Sequence, residues 1–379
     1  MDIWGEIMAQ CDYVCVDNPA ELIYTSFPNS IHMVSEEQLV EIIKRGDYDV
    51  IVFSSLPTHV YQYVMQVPKD KIVIWQSVGY DIYDSCFPYH AVVNLPLYRP
   101  FTQALIRKTQ KKSVAKKIRH LFSLILKPIT NYHKRQIKKK LETDALYLQN
   151  KVMQRIDYVS TVLDPEYDLL KKHPYFKAKF INFKYILPPS TSYNSMVDFN
   201  TTQYLLVGNS GDETNNHIDI LKIVTKRGIV NPLLVPLAYG GSKDYVEYLY
   251  LILQEKTQNV VLRQFMEREK YLELLHKCRT AVFGHIRQQA LGNINVLLSQ
   301  GCKVFLFKDS VTYKYYKQLG LSVFSIEDDL TQENIDTPLS VSQIMRNREY
   351  FEKEYKQTLK AFKSDVAEIE NSIAKLRNQ

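Results

Sequence analysis

Apolar and polar positions along the chain follow two periods that take turns. Short apolar, β-branched runs predict strands at Asp12–Val16, Val50–Ser54, Lys71–Trp75 and Tyr158–Val162. Further strands are predicted at Tyr204–Val207, Leu233–Pro236, Val260–Arg263, Thr280–Phe283, Lys303–Phe307 and Ser322–Ser325. Between them the apolar spacing shifts to three and four residues, the period of a helix with one buried face. Ser35-Glu36-Glu37-Gln38 forms a capping box, opening a helix that runs to about Lys44. Thr58 is placed to cap a helix over Thr58–Val67, a helix covers Lys134–Arg155, and Pro165 sits at the first position of another. In the second half helices are predicted at 216–227, 242–256, 267–277, 292–300 and 310–318, with a long one over 341–376. Strands separated by helices of this length build parallel sheets covered on both faces. The polar, Pro-rich stretch Leu187-Pro188-Pro189-Ser190-Thr191-Ser192 places a linker near 186–200. The expected organisation is two Rossmann-like, doubly wound α/β domains facing a cleft, over 1–195 and 196–340, followed by a helix over 341–379.

Charge changes this picture in one place. The chain of 379 residues carries a formal net charge of +7. Thirteen Lys and Arg with no Asp or Glu among them fall between Arg107 and Lys140, so the remainder is net acidic. This segment encloses Leu121-Phe122-Ser123-Leu124-Ile125-Leu126, ended by Pro128. An apolar patch flanked by cations suits a helix lying on an anionic membrane surface. A nucleic-acid contact and a plain solvated face are the other readings. Few aromatics are interleaved for stacking on bases (Phe122 and Tyr132 only), which counts against nucleic acid. No apolar run is long enough to span a bilayer. The first thirteen residues include Asp2, Glu6 and Asp12 and no apolar stretch, so no signal peptide is expected. The five cysteines show no C-x-x-C spacing, which argues against a disulfide framework or zinc site and fits a reducing cytoplasm.

Two strand-to-helix junctions carry the candidate chemistry. In the first, the strand Tyr204–Val207 runs into Gly208-Asn209-Ser210-Gly211-Asp212-Glu213-Thr214-Asn215-Asn216-His217. The glycines let a ligand approach the backbone, and Asn215 or Asn216 can cap a helix whose free N–H groups favour an anion. It is neither a dinucleotide fingerprint nor a Walker loop, and an ordinary polar-capped turn is the alternative. In the second, the strand ending at Phe283 leads to His285-Ile286-Arg287-Gln288-Gln289-Ala290-Leu291-Gly292-Asn293 and a helix that Gly301 closes. A helix N-terminus preceded by Arg is suited to a diphosphate, and surface charge is the alternative for Arg287.

Taken together, G-N-S-G-D-x-x-N-N-H (Gly208, Asn209, Ser210, Gly211, Asp212, Asn215, Asn216, His217) and R-Q-Q-x-x-G (Arg287, Gln288, Gln289, Gly292) resemble the bacterial N-acetylfucosamine transferases of glycosyltransferase family 56. Gly79-Tyr80-Asp81-Ile82-Tyr83 is similar to that family's G-x-D-x-Y. The resemblance implies a GT-B fold and a glycosyltransferase with no cofactor and no metal. It implies inverting transfer from a dTDP- or UDP-sugar to a polyprenyl-diphosphate-linked saccharide in surface-polysaccharide assembly. The expected location is peripheral, at the cytoplasmic face of the bacterial plasma membrane. The twelve motif residues and Asn293 become the expected donor site.

Inverting transfer needs a base for the acceptor hydroxyl. Asp81, just past the carboxyl end of a strand, is the expected base, with a turn-capping role as its alternative; His90 is a weaker candidate. Asp47-Tyr48-Asp49 matches the metal-binding D-x-D of another glycosyltransferase fold, but at a strand's amino end it reads as loop charge. Two other functions compete: a GT-B-like sugar-nucleotide epimerase, and a non-catalytic nucleic-acid-binding protein using the basic segment.

Overall fold

A computed structural model of the chain describes residues 12–16, 31–83, 93, 95–108, 144–184, 198, 201 and 203–377. His90, the linker at 186–197 and the basic run from residue 109 to 140 lie outside the described residues. The chain divides into two compact units. Unit 1 comprises Met1–Asn94, Arg135–Ile186 and Tyr355–Gln379, and unit 2 comprises Leu95–Lys134 and Leu187–Glu354.

Unit 1 holds a parallel pair, β1 (Tyr13–Cys15) and β2 (Ile31–Met33), and a four-stranded parallel sheet. The sheet runs β3 (Val50–Ser54), β4 (Ile72–Gln76), β5 (Tyr158–Ser160), β6 (Lys179–Phe180). The capping box is present: Ser35 Oγ accepts from Gln38 N and Gln38 Oε1 accepts from Ser35 N, at 3.3 and 2.8 Å. Thr58 does not cap. Pro57 takes that position without a side-chain bond, and a 3₁₀ turn Thr58–Val60 leads into a single helical turn, Tyr61–Val64. The final helix, Val341–Arg377, contributes its second half to unit 1. There Ile369, Ile373 and Leu376, spaced four and three apart, pack on Ile72, Ile74, Tyr158 and Ile181. Asp365 accepts from Asn182 N at 2.6 Å, and Arg377 grips Asp49 at 2.6 Å. The second carboxylate of the D-x-D pattern thus belongs to the helix latch, while Asp47 pairs with Arg45 at 3.1 Å.

Unit 2 is a six-stranded, all-parallel sheet in the order β12-β11-β10-β7-β8-β9. The strands are β7 (Tyr204–Val207), β8 (Leu233–Pro236), β9 (Val260–Leu262), β10 (Cys278–Phe283), β11 (Lys303–Leu306) and β12 (Val323–Ser325). β8 and β11 are buried at every position; β8 reads as an unbroken apolar run and β11 does so after Lys303, whose Nζ donates to the Asn334 carbonyl at 2.7 Å. The segment from Leu95 belongs here rather than with the domain preceding it in sequence. Asp219, itself buried, accepts from Phe101 N and Thr102 N at 3.1 and 2.8 Å, capping helical backbone over 100–108. Leu105 packs against the unit 2 core. These partners are distant in sequence, so no local pattern announced them. No helix among the described residues is long and apolar enough to cross a membrane.

Candidate functional site

β7 and β10 lie side by side at the centre of the unit 2 sheet. From β7 the chain builds outward through β8 and β9, then returns to β10 and builds the other way through β11 and β12. Loops leaving two such strands part to opposite faces and open a crevice at their carboxyl ends, where open α/β sheets bind ligands. The two sequence motifs are these two loops.

They interlock. Gln289 donates to Asn209 at 3.1 Å, and Thr214 Oγ1 lies 2.7 Å from Gln289 Oε1. Asn216 Nδ2 donates to the carbonyl of Gly284 at 2.8 Å. Gly284 must be glycine, since a Cβ there would sit 2.2 Å from the Asn215 carbonyl oxygen. Asn215, fully buried, donates to the carbonyls of Ser210 and Asp212 and accepts from Asn209 N, all within 3.2 Å. Asn216 sits at the N-cap of the helix His217–Lys226 with φ of 52°, yet makes no side-chain cap bond. Its amide instead reaches the carbonyls of Leu97, Thr214 and Gly284 and accepts from Arg99 N at 2.7 Å. Among the donor residues expected from sequence, Asn215, Asn216 and His217 are therefore the frame of the loop, because their polar atoms face inward.

Gly208, Ser210 and Gly211 are buried as well, so the exposure that remains comes from the other seven. Asn209, Arg287, Gln288 and Gln289 each keep a sliver of exposure, and Asp212, Gly292 and Asn293 are half-buried. The helix Leu291–Gln300 begins one turn beyond Arg287, with Ala290 as its N-cap at φ of 58° and no side-chain cap. Its first-turn N–H groups have no partner within the helix. Among the described residues three non-glycines have positive φ, namely Ser55, Asn216 and Ala290, and each lies in a loop leaving the carboxyl end of a strand. Such strain is held where surrounding structure over-determines it, commonly at sites.

Two histidines sit beneath the loops, wholly buried. Desolvation pushes His217 down to about 4, with the Asp212 carboxylate opposing in part. His285 is driven well below its ordinary value by burial first, then by Arg287 and His217. Both are neutral at neutral pH.

Asp81 is placed differently from a base. It is buried, and its carboxylate accepts from Leu56 N at 2.9 Å, Trp75 Nε1 at 2.7 Å, Ser77 Oγ at 3.0 Å and Val78 N at 3.2 Å. Four donors occupy both oxygens, so the carboxylate ties β4 to the loop after β3. The turn-holding alternative is the one its contacts support. Sequence reasoning overlooked the loop after β8, Tyr239-Gly240-Gly241-Ser242, which packs on the first motif. Its signal was available: strand, paired glycines, helix, the same grammar as the other two. Among the described residues no cluster of three or more His, Cys, Asp or Glu is placed to hold a metal ion.

The family model "4-alpha-L-fucosyltransferase glycosyl transferase group 56" matches residues 139–368. The fold is similar to E. coli trehalose-6-phosphate bound with UDP-2-fluoro glucose, at 8% identity and TM-score 0.50, covering 94% of this chain and 91% of that one. It is likewise similar to the Anabaena protein HepE in complex with UDP and glucose, at 10% identity and TM-score 0.50, covering 87% and 86%. Against the Streptococcus pneumoniae accessory secretory protein structure the TM-score is 0.43 at 11% identity, and this chain spans 57% of that one. The two-unit architecture with parallel sheets is of the GT-B type.

Proposed function

Because the chain belongs to the 4-alpha-L-fucosyltransferase family, glycosyltransferase group 56, we propose that it moves a deoxyamino sugar such as N-acetylfucosamine from a dTDP- or UDP-sugar to a polyprenyl-diphosphate-linked saccharide. The observation that carries this reading is the interlocked pair of loops at the β7/β10 switch point. The acceptor hydroxyl's oxygen forms a bond to the anomeric carbon as its proton passes to a base, while the bond to the diphosphate breaks and the nucleoside diphosphate leaves with the electron pair. Arg287 and the first-turn N–H groups of Leu291–Gln300 are suited to hold that departing charge. Asn209 and Gln289 would orient the ligand over the crevice.

Thermal unfolding with UDP and dTDP tests the reading. At about 100 times its dissociation constant, a nucleoside diphosphate stabilises its binder by roughly 2.7 kcal/mol. We expect such a shift for both diphosphates, little for the nucleosides, and a smaller shift in Arg287→Ala. No shift with any nucleoside diphosphate would remove the donor site from unit 2.

For the acceptor, the run Arg107–Lys140 is the proposed contact with an anionic membrane surface, which places the enzyme peripherally at the cytoplasmic face of the plasma membrane. Each cation near such a surface is worth about 1 kcal/mol, and salt screens it. Sedimentation with anionic vesicles at low salt should carry the protein down, and high salt should release it. Equal recovery in the supernatant with anionic and neutral vesicles would assign the run to a solvated face.

A further inference from the structure

Tyr239 stands at the carboxyl end of β8, the strand next to β7 on the side away from β10. It combines two properties that seldom occur together. Its residue surface is 48% exposed, yet its hydroxyl lies 3.1 Å from the Asn209 side-chain amide. An exposed tyrosine normally leaves its hydroxyl to water; this one is pinned at its tip with its ring in the open.

The pinning continues inward. From Asn209 the contacts pass to Gln289 at 3.1 Å, then to Thr214 Oγ1 at 2.7 Å, then to Asp212 Oδ1 at 2.6 Å. Thr214 Oγ1 has one proton, and the carboxylate takes it. Gln289 Nε2 donates to Asn209 Oδ1 and Asn209 Nδ2 to the Tyr239 hydroxyl, so the tyrosine is tied through two amides to the Thr214–Asp212 pair. The backbone is fixed as well. Gly211 N donates to the Tyr239 carbonyl at 2.7 Å, and Ser242 N donates to Glu213 Oε1 at 2.9 Å. Gly241, at φ of 74°, passes so close to the first motif that a Cβ would fall 2.1 Å from the Gly211 carbonyl oxygen. The loop after β8 is thus fastened to the first-motif loop at backbone and side chain.

In a sheet of this winding the ligand lies in the crevice at the switch point, and its nucleoside extends across the ends of neighbouring strands. With Arg287 and the start of Leu291–Gln300 marking the diphosphate end beside β10, the strands across the crevice are β7 and then β8, and beyond them the β9 loop presents Phe265, 51% exposed. We propose that Tyr239 is the stacking platform for the nucleobase of the nucleoside diphosphate. This rests on the glycosyltransferase reading and assigns the ligand's aromatic end a place and a chemistry. Recognition by a ring face tolerates any base, so Tyr239 supplies affinity without choosing thymine over uracil.

The experiment is calorimetric titration of the full chain with dTDP, UDP and inorganic pyrophosphate, for wild type, Tyr239→Ala and Tyr239→Phe. Stacking on one aromatic ring predicts that Tyr239→Ala weakens dTDP and UDP alike by about 10-fold or more. Pyrophosphate should bind as in wild type, and Tyr239→Phe should keep dTDP to within about three-fold, since the ring face remains. Unchanged dTDP and UDP binding in Tyr239→Ala would overturn the platform. So would an equal loss for pyrophosphate, which would mean that the tyrosine only props the phosphate site. A wild-type chain that binds pyrophosphate and no nucleoside diphosphate would overturn the glycosyltransferase reading, and the platform with it.

Discussion

Lowering the pH from 7 to 5 is expected to cost unit 2 about 2 kcal/mol through His217 alone, from its ordinary value of 6.5 and its folded value of about 4. In the folded chain this imidazole stays neutral, because burial withholds water from the charged form. In the unfolded chain it takes up a proton as pH drops through 6.5. The unfolded state therefore binds more protons between about 6.5 and 4, and stability falls with pH at up to about 1.4 kcal/mol per unit. Above 6.5 the residue contributes no pH dependence. His285 acts in the same direction, since its folded value is also well depressed. The two histidines lie in or under the loops that make the candidate site, beside Arg287, so their protonation would crowd cations there. A bound diphosphate would offset that crowding and should reduce the acid loss. Hydrogen exchange in β7 and β10 peptides at pH 7, 6 and 5, corrected for intrinsic rates, measures the effect. His217→Gln should flatten the dependence; a wild-type unit 2 equally protected at pH 7 and 5 would contradict the burial argument.

The elements of unit 2 were legible because its sheet is covered on both faces. Tyr204–Val207 and Leu233–Pro236 appear with the predicted bounds, and β10 differs only in starting at Cys278. Continuous apolar runs flanked by glycine and polar loops leave little ambiguity. The two-residue strand β6 and the four-residue helix Tyr80–Tyr83 were not legible, being about one period long and so showing no repeat, and the helix expected over Thr58–Val67 shrinks to Tyr61–Val64. The site was half legible. Motif and spacing located both loops, because glycines and helix starts leave local marks. They could not say which polar atoms face the crevice. Asn209 and Asn215 look alike in sequence, yet one reaches Tyr239 and Gln289 while the other is spent on its own loop. That distinction is made by long-range packing. Likewise Asn216 and Asp219 serve the segment 97–102, more than a hundred residues earlier.

Asp81→Ala should destabilise unit 1 by about 4 kcal/mol, because it strands buried donors that have no other acceptor at hand. Leu56 N and Trp75 Nε1 both give their hydrogen bonds to Asp81 Oδ2 in the buried interior, and each stranded donor costs about 1–3 kcal/mol. The Ser77 hydroxyl can rotate to another partner, and Val78 N is nearer to water, so those two add less. Asp81→Asn should cost roughly half as much: one amide oxygen still accepts, while the NH₂ faces donors it cannot satisfy. Trp75, one of two tryptophans in the chain, is fully buried and hydrogen-bonded to the mutated group, so its fluorescence in a urea titration reports the loss directly. A holding role and a base role then separate. A holder predicts a lowered urea midpoint in both variants, with turnover per folded molecule largely kept where Asp81→Asn remains folded. A base predicts an Asp81→Asn variant that unfolds at the wild-type midpoint and loses 10²–10⁴-fold in turnover. The four donors around the carboxylate favour the first outcome; the second would return Asp81 to the reaction centre and require one of those hydrogen bonds to open when the acceptor binds.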